Sequence, residues 1–100
     1  MREKRRHERK PTDYLTELTN ALGERVSGVC RDLSMGAIHI ETLRPAPFAS
    51  SVAVHIHPDG TGGSLSLPGI VRWTKENRMG VQLGLLGARE THAISEILAG

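Results

Sequence analysis

The chemistry this chain can offer is concentrated in two places. The first is the opening decapeptide MREKRRHERK, where Arg2, Lys4, Arg5, Arg6, Arg9 and Lys10 stand against only two acids, Glu3 and Glu8. These ten residues carry +4; since the whole chain carries +2, residues 11–100 carry −2. The positive charge is local, and a local charge implies a local task. Arg5 and Arg9 are four apart, which returns both to one face in a helical turn or in an extended arm. Two guanidinium forks can then converge on one ligand. Each presents paired donors that fit phosphate oxygens or the O6 and N7 acceptors of guanine. Charge alone would favour a solvated basic tail.

The second place is RDLSMGA, residues 31–37, between two strand-like segments. Asp32 and Ser34 are two apart, so extended backbone turns both side chains the same way. A carboxylate can accept from the N1–H and N2–H₂ donors of guanine, and a hydroxyl beside it can donate or accept. Taken alone, the pair also reads as ordinary turn chemistry, because Asp and Ser bond their own backbone in turns. Other candidates are weaker. His55 and His57 share a strand face and lack a third ligand unless His39 supplies it, so an exposed face is the better reading and no metal is expected. The run DGTGG lacks the Lys-Ser/Thr of a phosphate loop and reads as a hairpin turn. No nucleophile has a base partner, so no enzyme and no cofactor are expected.

These groups need a scaffold, and composition bounds it. One hundred residues, 24% charged and 38% apolar, make one ordinary domain with one core. Three aromatic residues, Tyr14, Phe48 and Trp73, are too few for a platform that stacks successive bases. Cys30 is the only cysteine and sits in an apolar stretch, as a small buried hydrophobe rather than a reactive thiol. No apolar run is long enough to span a membrane, and the basic start lacks the apolar region of a signal peptide. A cytoplasmic location is the expectation.

Along the chain, Pro11 reads as a break after a flexible arm, residues 1–11. Strand patterns follow in TDYLTELTNAL, RVSGVCRDL, AIHIET, SVAVHIH, SLSLPGIVRW and RMGVQLGL. Pro68 and Gly69 suggest a bulge or bend inside the fifth. Residues 87–100 switch to helical spacing, with Ala93, Ile94, Ile97 and Leu98 on one face. The expected fold is all-β with one C-terminal helix: a small six-stranded antiparallel β-barrel over residues 12–86, closed to remove its edges.

Taken together, RxxxR at Arg5 and Arg9, the doubled Arg5–Arg6, and Asp32, Ser34 and position 37 in a DxSxxG-like pattern resemble the PilZ family of bacterial cyclic di-GMP receptors. The segments GIVRW and RMGVQL match similar ones in that family, and the resemblance covers nearly the whole chain. It implies a receptor that orders its arm on cyclic di-GMP and signals to an unidentified partner protein controlling motility, polysaccharide or pilus assembly. It implies ligand contacts from Arg5, Arg6, Arg9, Asp32 and Ser34, with Gly36 beside them. Lys4 occupies a position that in the family bears on whether one or two ligands bind, and Trp73 offers a ring near the ligand or a half-buried core residue. The family glycine is replaced by Ala37, whose methyl crowds the ligand unless the backbone there has negative φ. A protein–protein adaptor that binds no nucleotide, and a basic-arm nucleic-acid module, are the rival readings. A monomer or weak dimer is expected.

Overall fold

The computed structural model describes residues 9–58 and 64–99. Six strands, β1 (Lys10–Thr19), β2 (Arg25–Leu33), β3 (Ala37–Glu41), β4 (Ser51–His57), β5 (Leu65–Lys75) and β6 (Arg78–Leu83), precede one helix, α1 (Ala88–Ala99). All pairings are antiparallel, and the order β1-β2-β3-β6-β5-β4 closes on itself as a barrel. Both expectations, the six-stranded barrel and the terminal helix, are met.

Alternation builds the core. Val52, Val54 and Ile56 of β4, Leu67 and Val71 of β5, and Met79 and Val81 of β6 point inward and are buried. Leu18 of β1, Cys30 and Leu33 of β2 and Ile38 and Ile40 of β3 complete that lining, and Ile94 of α1, fully buried, closes the core. The helix is tied down at its far end, where Lys10 Nζ donates to the carbonyl of Ile97 at 3.0 Å. That carbonyl lies in the last turn and has no partner within the helix, so the ammonium meets both an unfilled acceptor and the negative end of the helix dipole. Cys30 is buried, and its burial pushes the thiol up to about 11; nearby Asp32 acts the same way and a hydrogen bond from Thr12 opposes.

Several local expectations need correction. Pro11 does not end an arm: it lies within β1, opposite Asp32, beside an irregularity that begins at once between Pro11 and Tyr14. A proline is tolerated near a strand start and next to a bulge, where its missing N–H disturbs the ladder least. The first strand also stops at Thr19, short of Leu22. There Asn20 Oδ1 accepts the N–H groups of Leu22 (2.9 Å) and Glu24 (3.0 Å), and Gly23 takes φ 85°, which folds the chain into a tight turn. The bulge expected at Pro68–Gly69 is absent. The carbonyl of Pro68 accepts from Gly84 N–H beyond the end of β6, so the missing proline N–H falls on the same side, where the ladder has finished. Gly69 is instead a close approach, since a Cβ there would run into Val81. The DGTGG turn lies outside the described residues.

Candidate functional site

Four register pairs form a single row across the outside of the barrel. Trp73 of β5 lies opposite Gly80 of β6, Gly80 opposite His39 of β3, His39 opposite Asp32 of β2, and Asp32 opposite Pro11 of β1. Bulges make this row possible. Cys30 and Leu33 are both fully buried although three apart, so strict alternation would turn Asp32 inward with Cys30. The β2–β3 register slips between Cys30 and Asp32; the extra residue returns Leu33 to the core and leaves Asp32 outside. The same device recurs in β5. Trp73 is two past the buried Val71 and would follow it inward, but the register slips between them and the indole emerges 43% exposed.

Side chains then meet along the row. Arg9, just before β1, donates to Asp32 Oδ1 from Nη2 at 2.9 Å and from Nε at 3.2 Å. His39 Nδ1 lies 3.2 Å from the other carboxylate oxygen, Oδ2. Its ring sits against Trp73, with centroids 5.4 Å apart and planes inclined at 50°. Arg9, Ala37, Arg72, Trp73 and Gln82 line a cleft of about 290 Å³, in which Arg72 Nε donates to Gln82 Oε1. Two guanidinium groups, an amide and a half-exposed indole can hold an anion and face a flat ring. A larger cleft of about 370 Å³, lined by Leu15, Val29, Leu43 and Asn77, offers less. Its Arg31 and Glu41 pair with each other at 2.7 Å, and that hydrogen bond and charge hold the Glu41 carboxyl below the usual range.

Of the residues singled out from the sequence, Arg9, Asp32, Ala37 and Trp73 come together here. Ser34 is not on the surface. It is 4% exposed, and its Oγ accepts from the N–H groups of Gly36 (3.3 Å) and Ala37 (3.1 Å) while lying 3.3 Å from the Ala37 carbonyl. The extended geometry that would align it with Asp32 ends at Leu33, so Ser34 shapes the turn instead. Gly36 braces that turn by accepting from Leu83 N–H at 3.0 Å. Ala37 opens β3 opposite Gln82 and is not among the non-glycine residues with positive φ, which are Ala49 and Glu76. Its backbone therefore accepts a side chain, and its methyl faces the cleft. Lys4, Arg5 and Arg6 lie outside the described residues. Sequence reasoning missed His39, Arg72 and Gln82 as site residues; alternation in AIHIE already turned His39 outward, and its nearness to Asp32 across the turn was the available signal.

Gly80 is where the row is most easily broken. A Cβ at that position would clash with the Trp73 indole at Nε1, so only glycine lets the ring lie across β6 toward His39. Gly80→Ala is expected to lift the indole off His39 and red-shift the emission of the chain's one tryptophan. An emission maximum unchanged from wild type would contradict this packing.

Comparison with known proteins follows the same geometry. The family model described as PilZ domain matches residues 3–100. The PilZ domain of CeSA from a cellulose-synthesizing bacterium superposes with a TM-score of 0.77 at 25% identity, over 93% of this chain and 96% of that one. The PilZ domain of YcgR from Escherichia coli, solved with c-di-GMP, gives 0.77 at 16% identity over 97% and 90%. The Bacillus subtilis inhibitor of motility MotI/DgrA gives 0.79 at 13% over 97% of this chain, which spans 50% of that longer protein. Among curated proteins, none matches.

Proposed function

Since the chain belongs to the PilZ domain family, we propose that it is a cytoplasmic receptor for cyclic di-GMP that passes the signal to a partner protein controlling motility, polysaccharide or pilus assembly. One observation carries this reading: Arg9 and Asp32, 23 residues apart in sequence, meet at 2.9 Å beside an open cleft. Ligand capture is then an exchange. Arg9 leaves the carboxylate for a phosphate or for guanine O6 and N7, and Asp32 accepts from N1–H and N2–H₂ of the base. Arg5 and Arg6 add cations for the second phosphate, Lys4 adds a further one, and the arm closes over the barrel as these contacts form. Trp73 and Arg72 lie along the cleft on which the base rests. Ser34 and Gly36 hold the turn that sets Asp32 and β3 in place.

Ala37, which lines this cleft where the family has glycine, is the departure on which a second reading rests, a protein–protein adaptor that binds no nucleotide. Titration calorimetry separates the two. Saturable heat with cyclic di-GMP, and none with GTP or cyclic di-AMP, is the expected result. No heat with cyclic di-GMP at micromolar protein would leave the adaptor.

A further inference from the structure

We infer that His39 is a positioning residue for ligand capture: it holds the Asp32 carboxylate in its reading orientation after Arg9 has let go. The inference rests on the reading of the cleft as a guanine-nucleotide site. Among the described residues, Asp32 has two partners with unequal prospects. Arg9 approaches Oδ1 from the chain's leading segment, its side chain 45% exposed, and is free to exchange for a ligand anion. His39 approaches Oδ2 from β3, its side chain 17% exposed, fixed by register opposite both Asp32 and Gly80 and backed by the Trp73 ring. When Arg9 departs, a lone carboxylate on a strand would rotate about its terminal bond. A donor on Oδ2 prevents that and still leaves a lone pair on Oδ2 and both on Oδ1 for a base edge.

The other ring nitrogen sharpens the case. His39 Nε2 is buried and, among the described residues, has no hydrogen-bond partner. An imidazole chosen for packing alone leaves a polar atom unpaired at a position where an aliphatic side chain would leave none. What the imidazole supplies is the Nδ1 donor. Since a carboxylate only accepts, Nδ1 carries the hydrogen. The Arg9 contact is therefore the exchangeable one and the His39 contact the permanent one.

The test compares cyclic di-GMP titrations of wild type, His39→Leu and His39→Asn, with thermal melts of each and imidazole ¹⁵N spectra of the ligand-free wild type and Asp32→Asn chains. Asparagine can set its amide nitrogen near the place of Nδ1. Loss of a hydrogen bond to a charged group is expected to weaken binding about 10-fold or more in His39→Leu, with His39→Asn staying within about 3-fold of wild type. Wild-type affinity in His39→Leu overturns the inference. So does equal weakening of both variants with equally lowered melting, which marks a purely structural role. If wild type itself fails to bind, the nucleotide reading falls, and the spectra judge the contact independently. Protonated Nδ1 whose shift moves in Asp32→Asn upholds the positioning contact; an Nε2–H tautomer, or a shift that does not move, overturns it.

Discussion

Asp32→Ala is expected to lower cyclic di-GMP affinity by about 10- to 100-fold, because a bidentate base contact is worth roughly 1–3 kcal/mol. On the proposed function the change removes the acceptor for a base edge and, at the same time, the resting partner of Arg9. The two losses act in opposite directions on different ligands. A freed Arg9 should bind simple anions at least as well as before, while discrimination between cyclic di-GMP and cyclic di-AMP collapses. Folding should suffer measurably. The Arg9–Asp32 pair is partly exposed and such pairs contribute up to about 1 kcal/mol, and the stranded His39 donor adds a cost of order 1–3 kcal/mol. Calorimetry with both dinucleotides, beside a urea melt, reads all of this. A nucleic-acid module gripping only phosphate would be indifferent to Asp32 and strongly salt-dependent, so undiminished cyclic di-GMP binding by Asp32→Ala would rule out the base-reading role.

The second large effect is on stability. Ile94 is the one fully buried side chain of α1. Ile94→Ala should cost about 2–5 kcal/mol, the usual range for truncating a buried aliphatic side chain. For a domain of this size, with roughly 5–15 kcal/mol in hand, that is a large fraction. Leu85→Ala is the control: that side chain is 98% exposed, and its loss should stay within about 0.5 kcal/mol. Urea midpoints measure both. A shift of Ile94→Ala no larger than that of Leu85→Ala would mean that the helix does not share the barrel's core.

Much of the barrel was legible because its strands obey period two. SVAVHIH and AIHIE bury alternate residues as the pattern demands, and the helical spacing of Ala93, Ile94 and Ile97 turned up as one helix. The site was legible only in its ingredients. Alternation carried through β2 would bury Asp32, and through β5 it would bury Trp73; a one-residue slip reverses each. A bulge is set by pairing between strands, so a single strand's pattern does not announce it. The same applies to Ser34. Its spacing from Asp32 predicts a shared face only while the chain stays extended, and the strand ends one residue before it. Pro68 and Gly69 looked like an interruption, but their oddities are absorbed by the end of β6 on one side and close packing on Val81 on the other.

The Lys10 ammonium on the Ile97 carbonyl joins residues 87 apart in sequence. Lys10 is also the next residue after Arg9, so one peptide unit separates the guanidinium that holds Asp32 from the tether that holds the last turn of α1. A tug on the chain at Arg9 therefore loads the helix end directly, as a short lever would, without travelling through the packed interior. On this geometry a shift of the backbone at Arg9 reaches the last turn of α1 through a single side chain.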